Sequence, residues 1–250
     1  MKKVNTILLL LALMVQVSAT SDSLFQKANG LYQEGEYEAA LAAYRTIISS
    51  GFESRHLYYN MGNAAFRSNN IGQAILYYEK TLKLDPSHED AIHNLEYVSQ
   101  YRIDAFEPVP ELFISSWMQT LVNSSSERAW SMLAILLFAV ALGSLIMYLF
   151  AKSLALKKAG FFTALLGLVL FGLTLTFALS QNRSIVKPDT AIILSPSVVV
   201  RSSPSDSGTE LFILHEGTKV HVSEEVSGWH NIRVIDGREG WILGDDFESI

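Results

Sequence analysis

The sequence predicts a multidomain membrane protein that combines an all-α repeat domain, a two-helix transmembrane hairpin and an all-β barrel. Three observations predict it. Two charge-free apolar spans, 129–151 and 159–182, flank a short segment carrying Lys152, Lys157 and Lys158. A 34-residue self-match runs through the region before them, and after Ala191 the pattern changes to short β-branched and aromatic runs separated by turn pairs.

At the N-terminus, Lys2 and Lys3 precede the apolar run Ile7 to Val15 and the small residues Val17, Ser18 and Ala19. This order reads as a secretory signal peptide over 1–19, cleaved after Ala19; an uncleaved anchor is the alternative. No cysteine follows the small residues, so a lipoprotein anchor is not expected, and the chain contains none at all. Exported domains without disulfides must rest on their own packed cores, and thiol redox chemistry is excluded.

The segment 22–104 reads as one helical domain. A shift of 34 residues superposes Ala28 on Gly62, Tyr37 on Ile71, Ala40 on Ala74, Leu41 on Ile75 and Tyr44 on Tyr78. Small residues at Ala40, Gly62 and Ala74 let paired helices approach, while Tyr44 and Tyr78 fill the space between them. The second copy runs from Tyr58 through Gly62, Ala74 and Tyr78 to Pro86; the first is degenerate, with Leu24, Ala28 and Phe52 at three marker positions. The period and these residues resemble tetratricopeptide repeats, spanning about 21–54 and 55–88. Two repeats bury too little surface alone, so a capping helix is expected over 88–102, started by Ser87 with Asp90 and sealing the array with Ile92, Leu95, Tyr97 and Val98.

Such an array exposes a concave face, here Asn29, Tyr32 and Gln33, then Asn63, Phe66 and Arg67. Asparagine amides suit an extended peptide backbone. Each position has a second reading, as a packing or solvated residue; together they point to a partner groove. Phe25 stands where the family's carboxylate clamps often place lysine, so acidic C-termini are not the expected ligand.

The linker 105–128 opens with Glu107-Pro108-Val109-Pro110, which disfavours helix. Leu112, Phe113, Trp117, Met118, Leu121 and Val122 then recur at helical spacing, predicting a short interfacial helix anchored by Trp117, or alternatively a partner-binding helix. A bilayer core of about 30 Å needs roughly 20 apolar residues, and both spans meet that length. Lysines in the 152–158 loop predict a cytoplasmic loop with both flanking domains periplasmic in an inner membrane. Neither span holds an Asp, Glu, Lys, Arg or His, which disfavours transport by this chain alone. Ala139 with Gly143, and Gly160 with Ala164, are candidates for close helix contact.

From 189 to 250, strands are expected around Ile192–Leu194, Val198–Val200, Leu211–Leu214, Val220–Val222, Ile232–Val234 and Trp241–Leu243. Glu216-Gly217, Ser227-Gly228 and above all Asp236-Gly237 are turn signals. The units Val200-Arg201-Ser202-Ser203-Pro204, His215-Glu216-Gly217-Thr218, Gly228-Trp229 and Gly240-Trp241 resemble bacterial SH3-like domains. That resemblance implies a five- to six-stranded binding barrel in which Gly217, Trp229, Gly237, Gly240 and Trp241 are chiefly structural.

The order of parts over the full length resembles the BatE family of the Bacteroides aerotolerance operon. The resemblance implies an inner-membrane assembly with von Willebrand factor A-domain membrane proteins and a MoxR-type ATPase, connected to oxidative-stress tolerance. It defines no catalytic residues.

Residue chemistry excludes several other classes. Residues 21–108 carry seven Lys/Arg against twelve Asp/Glu, and residues 189–250 carry four against eleven. Domains with net charges of −5 and −7 are poor nucleic-acid binders. His88 and His93 are five apart and fall about 140° apart on a helix, off a common metal-binding face. His215, His221 and His230 lie on separate strands. No nucleophile elbow or phosphate-cradling glycine loop occurs. The expectation is a non-enzymatic scaffold or adaptor with no cofactor and no metal. Its alternative is a cell-envelope attachment or stress-sensing protein whose barrel binds peptidoglycan.

Overall fold

The computed structural model describes residues 23–107, 109, 113–186 and 189–250. The signal-peptide segment, Pro108 and residues 110–112 lie outside the described residues. The chain forms two compact units. One contains the repeats, the segment that follows them and the C-terminal β domain; the other is built on three helices within 113–186.

In the first unit, α1 (23–33) and α2 (Tyr37–Ser49) form one helical hairpin, and α3 (Arg55–Arg67) and α4 (Ile71–Leu84) form the next. The repeat extends to the helix ends. Gly35 (φ 84°) and Asn69 (φ 62°), 34 residues apart, both take the left-handed conformation just past a helix. The following amides, Glu36 N and Asn70 N, return to Leu31 O and Ala65 O at 2.9 Å, closing each helix with a Schellman-type bond. Tyr44 and Tyr78 are almost wholly buried within their hairpins. A Cβ on Gly62 would lie 2.6 Å from Tyr78 Cε1, so only glycine leaves room for that ring.

The capping helix α5 (Glu89–Ser99) is shorter than the expected 88–102. Its seal is made by buried Ala91 and Val98, whereas Ile92 and Tyr97 are exposed. Ser87 Oγ donates to Asp85 Oδ1 at 2.9 Å, so its hydroxyl proton goes to the preceding turn.

The β domain is a seven-stranded antiparallel sheet in the order β3-β2-β6-β5-β4-β1-β7. Its strands are β1 (Thr190–Ile193), β2 (Ser197–Arg201), β3 (Glu210–His215), β4 (Lys219–Val226), β5 (Trp229–Val234), β6 (Glu239–Leu243) and β7 (Phe247–Ser249). The last strand exceeds the expected five or six; a 3₁₀ turn at Gly244–Asp246 returns the chain so that Ile192 pairs with Glu248. Val200, Leu214, Val220, Ile232 and Ile242 form the centre of the core. The tight two-residue hairpin is Ser227-Gly228, both at positive φ (52° and 82°), rather than Asp236-Gly237, where only the glycine is positive. Asp236 instead accepts from Arg238 N at 3.1 Å and Arg238 Nε at 2.8 Å, which organises a longer loop.

The repeats and the β domain touch. Gly217, at φ 84°, meets α4 so closely that a Cβ there would lie 2.7 Å from Ile75 Cδ1. Glu216 Oε2 accepts from Gly72 N at 3.3 Å, and Lys219 Nζ pairs with Glu79 Oε2 at 2.7 Å. Beyond α5, Asp104 accepts from His215 N and Thr218 Oγ1, each at 2.7 Å, and pairs with His215 Nδ1 at 2.8 Å. Burial works to raise the Asp104 pKa, but the Thr218 and His215 donors outweigh it and hold the carboxyl below its ordinary range.

In the second unit, α6 (Phe113–Val122) precedes α7 (Glu127–Phe150) and α8 (Leu154–Val186). The latter two are long and apolar enough to cross a membrane. Ser126 accepts from Ala129 N at 3.4 Å and Ser153 from Leu156 N at 3.2 Å, capping α7 and α8. The connection is therefore only 151–153, and Lys157 and Lys158 belong to the start of α8 rather than to a 152–158 loop. The contact stripe differs from the expected one on α7: Ala139 and Gly143 face outward, while Ala134, Ala141 and Ser144 are buried. On α8 the stripe is Gly160, Ala164, Gly167, Thr174, Ala178 and Gln181. Trp117 and Phe113 of α6 are exposed, whereas its last carbonyl, Val122 O, accepts from Trp130 Nε1 at 2.9 Å and Gln181 Nε2 at 2.7 Å.

Candidate functional site: the repeat groove

A cleft of about 210 Å³ opens on the repeat array, lined by Asn29, Tyr32 and Gln33 of α1, Tyr44 of α2, and Asn60 and Asn63 of α3. Alternate helices supply most of its wall, since α1 and α3 lie side by side when two hairpins stack.

Its polar residues are wired in a repeating pattern. Asn29 Oδ1 accepts from Tyr44 Oη at 2.6 Å and from Asn60 Nδ2 at 3.0 Å. One repeat later, Asn63 Oδ1 accepts from Tyr78 Oη at 2.7 Å and from Asn94 Nδ2 at 3.1 Å. Each residue of the first set is 34 positions from its counterpart in the second. Two bonds fill the acceptor capacity of each amide oxygen. The Nδ2 groups of Asn29 and Asn63 remain as donors, and the side-chain amides of Gln33 and Asn60 line the same cleft, so the groove offers both donors and acceptors, as an extended peptide backbone requires.

The cleft is rimmed by Tyr32, which packs edge-on against Tyr37 at 5.3 Å, and burial pushes its hydroxyl pKa up. Burial also raises Tyr44, to about 12, against the Asn60 hydrogen bond that lowers it. Both hydroxyls therefore stay neutral through physiological pH.

The predicted residues divide. Asn29, Tyr32 and Asn63 come together in the cleft. Arg67 lies beyond it, donating to Tyr37 Oη at 2.9 Å with its guanidinium 5.2 Å from that ring centre. Phe66 packs edge-on against Tyr97 (5.7 Å) and Tyr101 (5.8 Å). Sequence reasoning missed Asn60 and gave Tyr44 only a packing role. The signal for both was available, because Asn60 recurs as Asn94 at the repeat period. Ala40 and Ala74 are fully buried, as hairpin packing requires, and Pro86 follows α4 by two residues.

In the β domain, Trp229 is 9% exposed and Trp241 half-buried. A Cβ on Gly240 would run into Val200 and lie 2.9 Å from Arg201 O, so glycine lets β6 close on β2. His215 is engaged by Asp104, and His230 stacks edge-on with Phe247 at 5.0 Å. Among the described residues no group of three or more His, Cys, Asp or Glu gathers to hold a metal.

The geometry defines a helical-repeat module joined to a small antiparallel β module. Comparison with known families agrees: residues 57–88 match the tetratricopeptide repeat and residues 196–248 match the bacterial SH3 domain. No curated protein matches the chain.

Proposed function

We propose that this chain is a non-enzymatic, membrane-anchored adaptor that holds an extended segment of a protein partner in the repeat groove, with the β domain as a second binding surface. The observation that carries this reading is the duplicated Asn–Tyr–Asn network, which fixes a row of side-chain amides along the cleft. Tetratricopeptide repeats suggest protein interaction, and bacterial SH3 domains suggest protein or peptidoglycan binding. Two modest sites on one tethered chain gain avidity through effective concentration.

The more specific form of the proposal follows the resemblance to BatE proteins: an inner-membrane location, periplasmic repeats and β domain, and von Willebrand factor A-domain membrane proteins as partners in an aerotolerance assembly. It is tested by mild-detergent purification of the tagged full-length chain beside a Tyr32→Ala/Gln33→Ala variant, chosen because both line the cleft without belonging to the Asn–Tyr–Asn network. Co-purification of von Willebrand factor A-domain proteins that the variant loses is the expected result. Equal recovery by both chains refutes the groove as the docking site.

The bacterial SH3 match favours a second reading, attachment to the cell envelope. Sedimentation of the chain with purified peptidoglycan at several salt concentrations tests it; failure to sediment removes it.

A further inference from the structure

After α5 the chain crosses the β domain without regular secondary structure and with alternating exposure: Ile103, Ala105 and Glu107 exposed, Asp104 and Phe106 seated. Asp104 enters a small donor nest made by His215 N, Thr218 Oγ1 and the His215 ring. Two residues on, Phe106 packs against the β-domain core, its ring centre 4.8 Å from the Arg238 guanidinium, which also lies 4.6 Å from Phe212. Val109 N then donates to Ile235 O at 3.2 Å. Two side chains anchor the segment, one backbone bond guides it, and every other described position is exposed. This is how a short linear peptide is held, with alternate side chains in pockets.

We infer that the donor nest at His215 and Thr218, together with the Arg238–Phe212 aromatic slot, is a peptide-binding site of the β domain that Asp104 and Phe106 occupy in cis. Its partner in trans is an extended protein segment bearing a carboxylate with an aromatic side chain two residues further on. The carboxylate takes the three donors, and the ring takes the cation–π face of Arg238. The cis segment acts as a built-in competitor. A short tether gives it an effective concentration in the millimolar range, so only a partner presented at comparable local concentration displaces it. This site is independent of the repeat groove, and neither experiment above bears on it.

The test uses the full-length chain in detergent and a fluorescent peptide of the sequence of residues 102–110. An Asp104→Ala/Phe106→Ala chain empties the site in cis. It is expected to bind the peptide at least about 10-fold more tightly than the wild type does. Adding Arg238→Ala, or replacing the peptide's phenylalanine by alanine, is expected to abolish that gain. No binding by the emptied chain, or binding indifferent to both changes, overturns the inference. A second measurement needs no variant. Tryptic cleavage after exposed Arg102 of the wild-type chain is expected to accelerate several-fold with a peptide of residues 103–110, which offers trypsin no site, in excess at about 10 mM, but not with a scrambled one. An unchanged rate also overturns the inference.

Discussion

Asn63 is the residue on which the second repeat turns, because its one amide oxygen receives Tyr78 from its own hairpin and Asn94 from the capping helix. Asn63→Ala takes the acceptor from the buried Tyr78 hydroxyl and one bond from Asn94 Nδ2, which keeps Tyr59 Oη at 3.3 Å, at a cost of about 1–3 kcal/mol. Scanning calorimetry of the solubilised chain is expected to show a lower repeat-domain transition, and an unchanged one would mean that the network is ornamental. Tyr44 makes a pH prediction. Burial raises its pKa from 10.0 to about 12, so the unfolded chain loses this proton first as pH rises. The stabilisation is fully present below pH 10, falls as pH rises toward the folded value of about 12, and is absent from a Tyr44→Phe chain. Ultraviolet titration of the phenolate beside alkaline unfolding checks both. In the sequence, Tyr44 and Tyr78 were legible through their period and bulk. The asparagines were legible only as groove residues, since a polar side chain looks solvated until its partner's position is known.

The pairing of α7 with α8 rests on a seven-residue rhythm of small and polar positions: Ala134, Ala141 and Tyr148 on one helix, Gly160, Gly167, Thr174 and Gln181 on the other. Contacts hold the register, since a Cβ on Gly160 would lie 2.8 Å from Ser144 O and one on Gly167 3.1 Å from Ala141 Cβ. A heptad repeat of this kind supports left-handed packing, with small residues allowing close backbone approach. Because the chain has no cysteine, an introduced pair reports directly. Ala141→Cys/Gly167→Cys is expected to form a disulfide under mild oxidation, whereas Gly143→Cys/Gly167→Cys is not. The reverse result would replace this interface by the Ala139–Gly143 face. Hydropathy made the existence of both helices plain and the length of α7 nearly so, but α8 begins five residues before the expected 159–182 span and ends four after it. It could not choose the contact face, because alanine and glycine occur all round an apolar helix and a single four-residue spacing fits more than one side. The loop between them was overestimated for a local reason, since Ser153 caps α8 ahead of Lys157 and Lys158.

At the scale of the whole chain, the contact between repeats and β domain constrains topology. Asp104 and His215 are 111 residues apart with the two apolar helices between them, yet their side chains are hydrogen-bonded at 2.8 Å. No local pattern reveals such a pairing, and the sequence left open whether the two domains touch. Domains in contact occupy one compartment, so if α7 crosses a bilayer α8 must cross back. The lysines at 152, 157 and 158 then select the side, since positive residues in a short connection resist translocation. Single cysteines at exposed positions test this in the cysteine-free background. In intact spheroplasts a membrane-impermeant maleimide is expected to label His93→Cys on α5 and Ser207→Cys in the β2–β3 loop, but Lys152→Cys only after permeabilisation. Labelling of all three in intact cells would mean that the hairpin lies outside the bilayer. Labelling of Lys152→Cys alone would invert the orientation, and His93→Cys differing from Ser207→Cys would break the repeat–β contact. That contact carries its own acid signature: with the Asp104 pKa lowered on folding, its stabilisation is present above the ordinary value of 3.8 and lost as pH falls through the folded value. Asp104→Asn, which keeps the shape without the charge, is expected to weaken domain contact at neutral pH and to flatten this acid-dependent loss, as read by near-ultraviolet circular dichroism of the solubilised chain across pH.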